Sequence, residues 1–170
     1  DEVSNAVGNL RHKGIVFVYL KIDRPQLTPD HWIYIPEEHI AIHRISEFTN
    51  FSANCAPEGS TLVCAEITAT AGGHHWSMDD DALIDLAQEN LVTLGLLEKK
   101  DVLPGGWVRR VDYAYPIYDL TYRENVNCLL DFVKEFENFE STGRQGLFRY
   151  GNMDHSVAMG RAVARRTIRH

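Results

Sequence analysis

Cysteine is scarce. Cys55, Cys64 and Cys128 are the only three among 170 residues. Their wide spacing gives neither a disulfide framework nor a Cys-x-x-Cys metal pair, and it points to a reducing, cytoplasmic setting. No apolar run approaches the roughly 20 residues that a membrane-crossing helix needs, so no membrane span is expected. Gly-x-Gly-x-x-Gly after a strand and Gly-x-x-x-x-Gly-Lys-Ser/Thr are both missing, which leaves this chain without a standard dinucleotide or nucleotide cradle of its own. The Gly-x-Ser-x-Gly elbow of a Ser-His-Asp hydrolase is missing too. Positive charge is in deficit: the formal net charge is -7, which disfavours nucleic acid or an anionic membrane as the main partner. There is no initiator Met and no signal peptide; the chain opens on Asp1-Glu2-Val3, and is expected to be part of something longer.

Against that acidic background, Arg161, Arg165, Arg166, Arg169 and His170 follow one another near the end. They read as a solvated basic helix end, or less readily as a phosphate contact. His74-His75 invites a metal reading. Adjacent residues do not converge on one ion on a strand or a helix, and no second Cys or His pair completes a tetrahedral site, so no metal is expected. Cys64 lies inside an apolar strand, where a buried inert thiol is the natural reading.

What is present is an ordinary globular composition, 44% apolar and 24% charged, in a chain long enough for a real core. Residues 14–22 form a nearly continuous β-branched, apolar run, the pattern of a central strand covered on both faces. Residues 32–35 and 40–45 read as a hairpin joined by Pro36-Glu37-Glu38-His39, 61–68 as another strand, and 107–115 as a half-buried strand. Ser77 and Asp80 fit a capping box opening a helix through Leu83, Leu86, Ala87, Leu91 and Leu94 to a stop at Gly95. A second helix is expected over about 123–136, and a last one from near Met153. The expected fold class is α+β: a mixed, mostly antiparallel sheet with flanking helices.

The segment from Thr142 to Ser156 carries the chemistry. Gly143, Gly146 and Gly151 allow close backbone approach, Arg144 offers a planar fork of donors, and Phe148 and Tyr150 could wall a flat ligand. Asn152 or Asp154 could cap the last helix, turning its first amides toward an electron-rich group. The same residues read equally well as an aromatic loop capped into a helix.

Those residues also carry a family resemblance. Gly143-Arg144, the Phe/Tyr-rich stretch after it, and Asn152-Met153-Asp154-His155-Ser156 followed by a small-residue helix resemble the C-terminal end of flavin amine oxidase-like proteins. The branch is that of the protoporphyrinogen oxidase-like proteins and the relatives of UDP-galactopyranose mutase. His43 to Ser52 and Ala114 to Leu120 resemble it as well, so the likeness runs from about Asn9 to Arg165. It implies a C-terminal fragment of a FAD-dependent oxidoreductase, in which hydride passes from a bound substrate to flavin N5. Residues 1–142 would form a sheet-rich part of the substrate domain and 143–170 a flavin-contacting loop and helix, with the N-terminal Rossmann part as the missing partner. Gly143, Arg144, Asn152, Met153, Asp154, His155 and Ser156 would contact FAD. Arg44, Tyr115, Tyr118 and, less directly, Trp32 would meet a small-molecule substrate. The resemblance assigns no catalytic residue. A nucleotide-sugar mutase working through reduced flavin and a non-catalytic binding module are the alternatives. FAD is not expected to bind this chain tightly by itself, and either self-association through Phe148, Tyr150, Met153, Val157 and the strand side near Tyr115, or local disorder from Gly143 to Asn152, is expected.

Overall fold

The computed structural model describes residues 1–168; Arg169 and His170 of the basic cluster lie outside them. The chain divides into two compact units, residues 14–112 and residues 1–13 together with the segment from Tyr113 onward. The strands are β1 (His12–Ile22), β2 (Trp32–Tyr34), β3 (Arg44–Glu47), β4 (Thr61–Ala69) and β5 (Val102–Pro116). The helices are α1 (Glu2–Asn9), α2 (His74–Ser77), α3 (Asp80–Thr93), α4 (Tyr122–Val133), α5 (Gly143–Gly146) and α6 (Met153–Thr167). The sheet order is β2-β3-β4-β1-β5. The α+β expectation is met.

In the unit of residues 14–112, β1 runs antiparallel to β4 from Gly14↔Ala69 to Ile22↔Thr61. This register turns Val16, Val18, Leu20, Ile22, Val63, Ala65 and Ile67 to one face, where they pack with Leu83, Ala87 and Leu91 of α3 in the core. Burying each large aliphatic side chain there contributes about 2 kcal/mol. The other face carries Phe17, Tyr19, Cys64, Glu66 and Arg44, since directly paired residues share a face. Glu66 is buried and held by both arms of the Arg44 guanidinium, Nε at 2.9 Å and Nη2 at 2.7 Å. His43 donates its backbone N–H to the Glu66 carbonyl and packs its ring beside the same carboxylate. Burial pushes the His43 pKa below its ordinary value, against the pull of Glu66. A second buried carboxylate, Glu47, accepts from the Leu27 and Thr28 amides and the Thr61 hydroxyl, tying the Pro25–Pro29 loop to β4.

Three sequence expectations need correction. The strand expected over 40–45 pairs only from Arg44 to Glu47. Ile40 and Ile42 are buried as core plugs, and the Ala41 amide goes to the Asn90 side chain of α3 instead of a ladder. The helix expected from Ser77 begins at Asp80, and Ser77 ends the separate turn α2. Arg110 explains the break: it donates to the Trp76 and Met78 carbonyls and to Asp80, satisfying the groups that a continuous helix would have paired. The helix expected to reach Phe136 stops at Val133. Gly95 does act as a stop, at φ +70°.

Two outcomes follow. Leu83→Ala should lower stability by about 3 kcal/mol in urea unfolding; a loss under 1 kcal/mol would mean that α3 is not anchored in the core. Because the folded pKa of His43 lies below the unfolded value of 6.5, the unfolded chain takes up the proton first. Stability should therefore be full above neutrality and decline as pH falls through 6.5 to the depressed value. His43→Gln should make that decline shallower in denaturation followed from pH 7.5 to 5, and an unchanged slope would contradict the assignment.

Candidate functional site

The second unit gathers most of the candidate residues. Arg144 sits in α5, one residue after Gly143, whose φ of +78° lies where only glycine is unstrained. Its guanidinium lies 4.8 Å from the Tyr115 ring centre and 5.2 Å from that of Tyr150. It donates to the Ala114 carbonyl at 3.1 Å and the Gly151 carbonyl at 3.4 Å. Two of the five N–H donors of an arginine are thereby spent on backbone; the others have no partner among the described residues.

Tyrosines hold the loop that follows. The Tyr150 amide donates to the Tyr118 hydroxyl at 2.8 Å, and the Tyr150 hydroxyl donates to the Pro116 carbonyl at 2.6 Å. Tyr118 meets Tyr150 edge-on at 4.9 Å and stacks on Tyr122 at 4.4 Å. Burial raises the Tyr150 pKa, with Tyr118 adding to the effect and Arg144 opposing it, so the phenol stays protonated as a donor. Phe148 adopts φ +48°, an uncommon conformation for a bulky side chain. It is buried and meets the His12 ring edge-on at 4.9 Å. His12, Tyr113, Leu129, Gln145 and Phe148 are among the residues around a cavity of about 360 Å3 in this unit. Burial lowers the His12 pKa, which favours the neutral ring.

The turn ends in α6. Asn152 is its N-cap, accepting from the His155 amide, while His155 Nδ1 accepts from the Asn152 amide at 3.1 Å. The Ser156 hydroxyl donates back to the Asn152 carbonyl at 3.3 Å. The amides of Met153 and Asp154 have no acceptor among the described residues, so the positive end of a 15-residue helix is open there. Asp154 is exposed beside His155, and Met153 is 87% exposed. Only Met159 and Val163 of the helix's large apolar residues are half-buried; Val157 and Ile168 are exposed. Gly160 has no atom within 4 Å of where a Cβ would stand.

The structure thus brings Gly143, Arg144, Tyr115, Tyr118, Asn152 and His155 into one constellation. Arg44 and Trp32 belong to the other unit. There Arg44 is engaged with Glu66 and lies 5.8 Å from the Tyr34 ring, and Trp32 stacks on Phe51 at 5.8 Å. The sequence singled out Tyr115 and Tyr118 but not their meeting with Tyr150, which closes over some thirty residues of chain. It missed His12 and Gln145, for which no local signal exists. Among the described residues no three His, Cys, Asp or Glu cluster as metal ligands, and no helix is long and apolar enough to cross a membrane.

No family model matches the sequence. Solved structures share the fold, among them the following two. Against reduced UDP-galactopyranose mutase the TM-score is 0.78, with 22% identity over 89% of this chain and 32% of that chain. Against a protoporphyrinogen oxidase-like protein from Exiguobacterium sp. 255-15 it is 0.66, with 14% identity over 96% of this chain and 36% of that chain. The chain spans about a third of the length of either structure. The fold of this chain is that of one part of such proteins.

Tyr118→Phe tests the constellation. It removes the acceptor of the Tyr150 amide and should cost about 1 kcal/mol, with faster hydrogen exchange at Tyr150 and Gly151. Unchanged exchange at both amides would show that the tyrosine cluster does not hold the loop.

Proposed function

We propose that this chain is the substrate-side and flavin-covering part of a FAD-dependent oxidoreductase. The observation that carries the reading is the Arg144 constellation at the mouth of α6: a braced guanidinium with donors to spare, beside two helix amides without acceptors. The fold likeness to the mutase and to the protoporphyrinogen oxidase-like protein supports it.

The residues fit such a cofactor. The Met153 and Asp154 amides suit the electron-rich pyrimidine edge or the ribityl chain, and Arg144 suits a ring carbonyl or a phosphate. A bound flavin would accept hydride from the substrate. This chain's own residues would hold and orient it: the helix end offsets negative charge, and Tyr115 and Tyr150 hold the planar guanidinium in place. The exposed apolar side chains of α6 and its C-cap, Met153, Val157 and Ile168, are suited to meet the flavin-binding part of the same polypeptide or, without it, a second copy.

A second reading, a nucleotide-sugar mutase, is favoured by the likeness to UDP-galactopyranose mutase at TM-score 0.78. It needs arginines for a diphosphate. Of Arg44, Arg109 and Arg110, Arg44 is spent largely on Glu66 and Arg110 on Trp76, Met78 and Asp80; Arg109 by itself is little for a diphosphate, so the oxidoreductase reading is preferred.

In the full-length parent, Arg144→Lys keeps the charge but loses the planar fork, and should cut retained flavin about tenfold, as loss of a charge-assisted bond does. Wild-type flavin content in the purified variant would make Arg144 a brace only. Ring isomerisation of a UDP-sugar by the dithionite-reduced parent, with no net reduction of an acceptor, would favour the mutase instead.

A further inference from the structure

The cavity of about 360 Å3 in the unit of residues 1–13 and 113 onward shares no lining residue with the Arg144 constellation. Its walls follow from the sequence. Val126, Leu129, Leu130 and Val133 recur at helical spacing along α4, and α1 packs against α4. Val7 and the C-cap Leu10 of α1 line the cavity together with Val126, Leu129 and Leu130. The rest of the wall is Gln145 and Gly146 of α5, with Phe148, His12 and Tyr113. Polar contacts hold these segments in place. Asn9 donates to the Asn125 side chain at 3.3 Å, Arg11 pairs with Asp119 at 3.3 Å, and Gln145 Nε2 donates to the Tyr113 carbonyl. The volume is in the small-molecule range.

Three features select the occupant. Among the described residues no Lys, Arg, Asp or Glu lines the cavity, and burial lowers the His12 pKa, which favours the uncharged ring. An ion would be desolvated there without a counter-charge. Most of the wall is aliphatic or aromatic, which suits a compact ring system. Finally, polar atoms are left over. The His12 ring meets Tyr113 edge-on at 5.1 Å and Phe148 at 4.9 Å, yet its nitrogens have no hydrogen-bond partner among the described residues. Gln145 spends its amide nitrogen on Tyr113, and its Oε1 has no partner there either. A neutral imidazole keeps one nitrogen as an acceptor. His12 is half-buried and Gln145 exposed, so His12 is the better-shielded handle.

We infer that this cavity binds an uncharged, mainly apolar ring compound bearing one O–H or N–H group, which donates to the His12 imidazole. Because α5 forms part of the wall, filling the cavity restrains the turn that carries Arg144, whose carbonyl accepts from the Arg149 amide at 2.9 Å. An effect on flavin through Arg144 rests on the flavin reading; binding to the cavity does not.

The test is equilibrium dialysis of 1-naphthol, naphthalene and 1-naphthoate against the 170-residue chain at pH 7.5. The three probes share a ring system and differ at one substituent. On hydrophobicity alone naphthalene would bind best. Instead, 1-naphthol should saturate one site and bind about fivefold tighter than naphthalene, the effect of one hydrogen bond, while 1-naphthoate should not saturate. Leu129→Trp fills the cavity and should weaken 1-naphthol about tenfold or more. His12→Leu should keep naphthalene binding and erase the 1-naphthol advantage, and Leu120→Ser, on a fully exposed side chain, should change nothing. Circular dichroism reports the folding of each variant, and the ranking of the three probes on the wild type decides even if a variant misfolds. Naphthalene binding as tightly as 1-naphthol, saturation by 1-naphthoate, wild-type affinity in folded Leu129→Trp, or a 1-naphthol advantage kept in folded His12→Leu would each overturn the inference. So would binding to this chain but not to the longest natural polypeptide containing it, which would mean that the rest of that polypeptide fills the cavity. Affinity that falls as the chain dimerises would mean that a second copy fills it, and would overturn the inference too. If 1-naphthol binds as expected while the parent carries no flavin, the flavin reading fails and this one stands.

Discussion

The antiparallel register of β1 on β4 decides what every residue of the central sheet can do. Pairing Val18 with Ala65 and Leu20 with Val63 places the aliphatic set against α3. The same pairing sets Tyr19 against Cys64 and Phe17 against Glu66 on the far side. A slip of β1 by one residue would exchange its two faces, turning Phe17 and Tyr19 toward Leu83 and Leu91 and its aliphatic set away from them. The Arg44–Glu66 pair does the same service for the neighbouring β3–β4 register, because an unpaired buried carboxylate costs several kcal/mol.

The tail works by a different constraint, cation against π-face. Arg144 holds its place between Tyr115 and Tyr150 because the rings fix its plane and the Ala114 and Gly151 carbonyls fix its direction. A lysine could meet neither demand, since its ammonium is a point charge on a flexible stem. The tyrosine hydroxyls anchor the loop in turn, so the short turn of α5 and the start of α6 are set by side chains rather than by helix propensity. This explains how a four-residue helix, too short to be stable alone, persists in a segment that reads as a loop.

Much of this was legible in the sequence, and the rest was not for physical reasons. β1 announces itself through a nearly continuous apolar, β-branched run, β4 through the mainly apolar stretch from Thr61 to Thr68, and α6 through Asn152 and the small residues that follow. Residues 40–45 misled because Ile40 and Ile42 are apolar for the sake of the core, not of a ladder. The start of α3 misled because Arg110, far along the chain, takes the carbonyls at the break. The ring contacts of Trp32, Phe51, Phe48, Tyr19 and Trp107 are invisible locally: they join β2, the 3-10 turn Phe48–Asn50 with its C-cap Phe51, β1 and β5, which only the sheet assembles. The Gly143–Ser156 segment drew notice for its glycines and arginine, yet the tyrosines that hold it lie some thirty residues upstream.

In the function proposed for this chain, the α6 mouth and Arg144 hold a flavin. The most direct measurement is the visible absorbance of the longest natural polypeptide containing this sequence, purified without added cofactor. The account predicts a flavin spectrum near one equivalent per chain, released on denaturation as FAD. A colourless, folded protein that stays so after incubation with FAD would contradict it.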